Sequence, residues 1–198
     1  MTLVFTGNIK TKWMYCILII IGFLVPYAIV NHLPLDRYTI SFILGEEYIP
    51  FLPWTFIVYI SAFIQGAIII RHAPPKFLPR AVFIASCMLL VGIMFFLLLP
   101  IEYPRSLYPN TNSLINFFRQ TDAAGNCLPS LHVAMTIFLT SYYTLFEKSL
   151  LRKSLMWLWT VAIIISVLTT KQHYLVDIFG GIVLTIPFVT LLRKKISL

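Results

Sequence analysis

Charge is what this 198-residue chain has least of: 11% of its residues are Asp, Glu, Lys or Arg, and only seven are acidic. A soluble domain carries about 25% charged residues, so an ordinary water-soluble fold is excluded. Cysteine is scarce too. Cys16, Cys87 and Cys127 are too few and too scattered for a disulfide framework or a metal cage, and the first two lie in apolar stretches as small buried hydrophobes. The chain also lacks internal repeats, low-complexity tracts and Ser/Gly linkers, so residues 1–198 read as one domain. What is abundant is apolar surface, at 59% of residues and a mean hydropathy of +0.88. The class these numbers define is an all-α integral membrane protein.

A bilayer core of about 30 Å needs roughly 20 apolar residues of helix. Six runs qualify, near residues 13–30, 51–70, 81–100, 130–146, 154–170 and 174–192. The first is too long for a signal-peptide core and is followed by no small-x-small cleavage site, so it is expected to stay as a span. Six spans put both termini on one side, together with Lys10, Lys12, Arg71, Lys76, Arg80, Lys148, Arg152, Lys153, Arg193, Lys194 and Lys195. Those are eleven of the fifteen basic residues. Arg37, Arg105, Arg119 and Lys171 fall on the other side. The positive-inside rule then makes both termini cytoplasmic. The net charge of +8 is thereby spent on orientation and headgroup contact rather than on nucleic acid. Two external loops result, 31–50 and 101–129. The second contains Leu114, Ile115, Phe117 and Phe118 beside Arg119, a pattern for a short interfacial helix.

Ionisable groups in lipid are costly and are usually paired or functional. Among Asp, Glu, Lys, Arg and His, the six runs contain only His132 and Asp177, each within about a turn of the external helix end. Asp177 follows His173 by four residues, a spacing that stacks both side chains on one helix face. A carboxylate there can accept one imidazole N–H and leave the other nitrogen free to attack or to take a proton. Topology also delivers Arg105, Ser130 and Lys171 to that level. An arginine fork, a lysine and the helix N-terminus at Pro129 and Ser130 suit a phosphoryl group. Phosphoryl transfer asks mainly for positioning and charge stabilisation, and two histidines complete it with no metal and no cofactor. Two His and one Asp make an incomplete zinc site, and no cluster of carboxylates is available for magnesium. Tyr103, Tyr108, Gln172 and Tyr174 flank these residues. Gly180 and Gly181 are expected to permit close helix packing.

At these positions the chain resembles the type 2 phosphatidic acid phosphatase superfamily, which carries the motifs KxxxxxxRP, PSGH and SRxxxxxHxxxD. Pro129, Ser130, Leu131 and His132 stand for PSGH, and Ser166, His173 and Asp177 keep the spacing of the third motif. The first retains Arg105 but has Leu98 for Lys and Ser106 for Pro. Val167 replaces the third-motif Arg, and Leu131 the Gly. In style, "NCLPSLHVA" and "KQHYLVD" are similar to the inositol phosphorylceramide synthase-like branch. The resemblance implies a six-helix bundle with its active site at the non-cytoplasmic face, periplasmic if the protein is bacterial. It implies a lipid phosphate substrate, His173 as nucleophile, Asp177 orienting it, and His132 as acid and base. Arg105 and Ser130 would hold the phosphoryl oxygens. Lys171, which no family motif requires, lies two residues before His173 and is expected to supply part of the charge lost at Leu98 and Val167. Water or a lipid alcohol would be the acceptor. An inactive homologue and a small transporter are the other classes considered; the second is disfavoured because the ionisable residues lie near one end of the spans, without inverted repeats.

Overall fold

A computed structural model describes residues 9–109, 112–122 and 125–196, with the side chains of 9–11, 15, 16, 18–20, 23, 24, 121, 195 and 196 excepted. The side chains of Lys10, Cys16 and Lys195 therefore lie outside the described residues. Seven α-helices follow in order: α1 Ile9–His32, α2 Phe56–His72, α3 Leu78–Leu98, α4 Ser113–Thr121, α5 Leu131–Phe146, α6 Leu150–Thr169 and α7 Leu175–Ile196. No strand occurs among the described residues; one isolated bridge joins Tyr38 to Ile101.

Four segments are long and apolar enough to cross a membrane: Pro53–His72, Leu78–Leu98, Leu150–Thr169 and Leu175–Lys194. Large apolar side chains such as Phe63, Phe83, Leu158 and Val183 point outward from them, as lipid-facing residues do. Helix α5, with 16 residues, spans about 24 Å and is shorter than a full crossing. Its position accounts for that length. It packs against α2, α3, α6 and α7 at the centre of the bundle. The segment before it folds back into the bundle, so that Ser130, its N-cap, is fully buried. Helix α1 packs on α3 at the periphery.

One end of the bundle is simple. Short connections join α2 to α3 and α5 to α6, above a core of Ile69, Ala81, Met88, Phe138, Tyr142 and Leu192. Lys12 reaches the carbonyls of Arg71 and Ala73, tying the start of α1 to the end of α2. At mid-bundle Gln65 donates to Thr160 at 3.1 Å, and the Thr140 and Thr160 hydroxyls are 2.7 Å apart. These bonds satisfy polar groups that lipid would leave bare.

The other end is built from long loops. Tyr38 N–H donates to the Pro100 carbonyl and Glu102 N–H to that of Tyr38, joining the first loop to the second. Leu52 N–H donates to the Thr169 carbonyl at 2.8 Å, and Thr55 and Thr169 share a hydroxyl contact of 2.8 Å. A small core of Ile101, Tyr103, Cys127 and Tyr174, with Phe42 and Tyr108 against it, roofs this end. Helix α4 lies within the second loop as the amphipathic pattern predicts. Asn112 caps it by accepting from Leu114 and Ile115, and Phe117 stays 59% exposed while Ile115 is buried.

Candidate active site

Close approach of α5 and α7 makes the site. A Cβ on Gly181 would lie 2.5 Å from the Ser130 carbonyl oxygen, so that position requires glycine for space, while one on Gly180 would lie 2.7 Å from the tip of the Leu128 side chain. The expected packing role of this pair is therefore observed. With the helices that close, Ser130 N–H donates to the Asp177 carbonyl at 2.9 Å. Ser130 Oγ accepts from Val133 N–H at 3.5 Å. The Ser130 amide, read from sequence as open for a phosphate, is thus already engaged; the side-chain hydroxyl proton is what it has left to give.

His173 and Asp177 meet as their spacing demands, with Nδ1 3.2 Å from Oδ2. The same carboxylate oxygen accepts the Tyr174 N–H at 2.8 Å, and Oδ1 has no partner. Both residues are buried, Asp177 completely. The shared carboxylate oxygen orients the imidazole, leaving Nε2 as the nitrogen with a free lone pair.

His132 lies on α5, its ring stacked on Tyr59 at 4.1 Å between centroids and 8° between planes. Its Nε2 is 3.0 Å from the Tyr59 carbonyl. A carbonyl only accepts, so Nε2 carries a proton there and Nδ1 is the nitrogen able to gain or lose one. The two imidazoles are near enough to interact electrostatically.

Arg105 lies in a single 3-10 turn, Arg105–Leu107. Its guanidinium is held by Asp122, through the backbone carbonyl and through the carboxylate at 3.5 Å, while Asp122 also accepts the Tyr27 hydroxyl. Arg105 Nε stays buried without a partner. Lys171 follows a different course. It has a left-handed backbone, φ 54°, and its buried ammonium is 3.4 Å from the Glu46 carbonyl and 4.8 Å from the centroid of the Tyr108 ring. Burial lowers its pKa and the Glu46 carboxylate raises it. Lys171 is thereby a tie between loops, and a phosphate contact would have to compete with these partners.

The family positions that have lost their cations are structurally committed elsewhere. Val167 is fully buried in an apolar cluster with Val133 and Ile178, and Leu98 is 72% exposed on the outside of α3. Leu131 packs into the space beside Gly92.

Sequence reasoning passed over Asp122, Tyr59 and Glu46 as site residues, and read Arg119 only as part of an interfacial pattern. One signal was available: Asp122 is the only acidic residue between Glu102 and Glu147. Cys127, to which the sequence assigned no role, is buried within the site. Its Sγ and ligand atoms of His173 and Asp177 all lie within 4.8 Å of one another, a set a soft divalent cation would take. Burial pushes the Cys127 thiol pKa well up, which opposes thiolate formation.

A helical protein with four membrane-length helices and a buried His–Asp pair at one end belongs to a small set of classes. This chain belongs to the PAP2 superfamily, whose family model matches residues 27–191. That membership points to lipid phosphatase or phosphotransferase chemistry. No curated protein matches the chain.

Proposed function

We propose that the protein is a membrane enzyme that transfers the phosphoryl group of a lipid phosphate through a phosphohistidine at His173, without a metal or cofactor. The observation carrying this reading is the buried His173–Asp177 pair, with Nδ1 at 3.2 Å from Oδ2 and the opposite nitrogen left to act. His173 Nε2 attacks phosphorus and the bond to the lipid alcohol breaks. The His132 imidazolium gives its Nδ1 proton to the departing alkoxide. The neutral ring then takes a proton from the acceptor as that oxygen attacks the phosphohistidine and frees His173. Asp177 offsets the charge on the attacking imidazole, and Arg105 and Ser130 hold phosphoryl oxygens. Lys171 adds positive charge behind His173.

The rest of the reading is topological. Residues 1–198 form one six-span unit, with α1 and α5 completing the four longer crossings. The end carrying Lys12, Arg71, Lys76, Arg80, Lys148 and Arg152 faces the cytoplasm, and the site faces the opposite side. Substrate arrives from the outer leaflet.

A second reading is favoured by one observation: His173, Asp177 and Ser130 are all buried beneath the loop-built roof. Such exclusion of water suits transfer to an alcohol, as in the inositol phosphorylceramide synthase-like branch. The test is phosphate release by purified protein in excess EDTA, over a panel of lipid phosphates and isoprenyl diphosphates with and without alcohol acceptors. Native protein is expected to turn over, and His173→Ala to fall by about a thousandfold or more with an unchanged melting profile. Near-native turnover by His173→Ala would overturn the mechanism. Transfer seen only with an acceptor would establish the second reading.

A further inference from the structure

Four cations lie at the site end, and the structure engages them to different extents. Arg37 donates from Nη2 to the Asn31 carbonyl at 2.7 Å and to that of Val30, with one buried nitrogen, Nε, left over where Arg119 has two. Lys171 is occupied by Glu46 and Tyr108. Arg105 is held by Asp122. The fourth, Arg119, in the last turn of α4, makes one hydrogen bond, from Nη1 to the Tyr108 carbonyl at 2.7 Å. Its guanidinium lies 5.3 Å from the centroid of the Phe51 ring. It forms no ion pair, although all seven acidic residues of the chain are among the described ones. Its Nε and Nη2 are buried with no acceptor, as is Nε of Arg105.

An arginine stays charged, and buried donors left unmet are costly, so such an arrangement is expected where an anion binds. Burial lowers the pKa of Arg119 and the like charge of Arg105 lowers it further, so the two guanidiniums are within electrostatic reach of each other. Helix α4 is also fixed relative to the chemistry. Phe118 packs edge-on to Phe56 at 5.2 Å, Phe56 stacks on Tyr59 at 5.5 Å, and Tyr59 stacks on His132. Three aromatic contacts thus join the residue beside Arg119 to the catalytic imidazole.

We propose that Arg119 binds the phosphoryl group during transfer, acting with Arg105, so that the amphipathic helix α4 supplies the second cation of the anion site. Asp122 is then a positioning residue: it occupies the Nη side of Arg105 and leaves Nε for substrate. Arg105 Nε with Arg119 Nε and Nη2 offers three donor nitrogens, as many as the equatorial oxygens of a phosphoryl group in transfer. This rests on the phosphoryl-transfer reading above, and its test is separable from it.

The experiment uses the full chain in detergent with orthovanadate and inorganic phosphate as probes, each read by the shift in unfolding temperature and by inhibition of phosphatidic acid turnover. Arg119→Gln is expected to weaken orthovanadate binding about tenfold and to raise KM more than it lowers kcat, with Arg119→Lys recovering part of both. A merely structural role would lower the unfolding temperature without changing orthovanadate affinity. Should Arg119→Gln fail to fold, Arg119→Lys decides the matter, because losing the fork is still expected to weaken orthovanadate about threefold. Native affinity and KM in the folded variant overturn the proposal. His173-dependent turnover with an indifferent Arg119 would sink this inference alone. Arg119-dependent anion binding by a native protein that turns over no substrate would sink the catalytic reading alone.

Discussion

The two ends of the bundle solve opposite problems. At the basic end, charges sit outside and pair in the open: Arg152 bonds Glu147 at 2.8 Å, and the core beneath is apolar. At the site end, Asp177, Glu46 and Lys171 are buried, as are the working nitrogens of Arg105 and Arg119. Among the described residues, almost every buried side-chain polar atom without a partner is found here, the exceptions being Gln65 Oε1 and the Tyr142 hydroxyl. One end is arranged for stability. The other keeps unmet donors and acceptors, those of Arg105, Arg119 and Asp177 among them.

The largest test of that contrast is Asp177→Asn. It keeps the size of the side chain but removes the charge that orients His173, so turnover is expected to fall by roughly a hundred- to ten-thousandfold. Phosphate-release kinetics measure it. The folded population in detergent should stay near native, because the amide oxygen can still accept from Tyr174. Loss of folding with loss of activity would make Asp177 a structural residue, and the contrast between the ends would weaken.

Glu46→Gln probes the same end through stability. Burial raises the Glu46 pKa, and its two carboxylate oxygens make no hydrogen bond, although the backbone at Leu175 and Ile43 offsets part of the cost. A raised folded value means that the native protein is most favoured below the ordinary value of 4.5 and loses stability as pH rises through the folded value. The variant lacks that loss. Its unfolding temperature should exceed the native one at neutral pH, and the difference should close as pH falls toward 4.5. A destabilised variant at neutral pH would instead show that attraction between Glu46 and Lys171 outweighs burial.

Arg152→Gln, at the opposite end, should have the smallest effect of all. Arg152 lowers the Glu147 pKa, so whatever the pair contributes is present above the ordinary carboxylate value of 4.5 and fades as pH falls through the lowered one. Turnover should stay native at every pH, and a thermal melt should detect little change. An activity loss here would mean that the two ends are coupled through α5 or α6.

Much of the architecture was legible in the chain because a membrane-spanning pattern is a matter of length and polarity. The predicted runs 81–100 and 130–146 overlap Leu78–Leu98 and Leu131–Phe146 within a few residues. The interfacial helix around Leu114 to Phe118 was legible as well, since one apolar face is readable at a spacing of 3.6 residues. The His173–Asp177 contact followed from i, i+4 geometry. Partners contributed by other elements did not follow. Nothing local in the order Arg105, Arg119, Asp122 says that the third will occupy the first. Nor does spacing reveal that Tyr59, far away in sequence, will hold His132. The Ser130 amide was misread for the same reason: its acceptor is a carbonyl on another helix, brought near by two glycines.

Composition by itself determined that this chain belongs in a membrane, and local spacing determined which histidine and aspartate would pair, because both depend on neighbours along the chain. Only the tertiary structure decided which cations remain free to meet an anion. That outcome depends on which carboxylates and carbonyls the folded loops bring to each guanidinium, and a scarcity of acids leaves Arg119 without one.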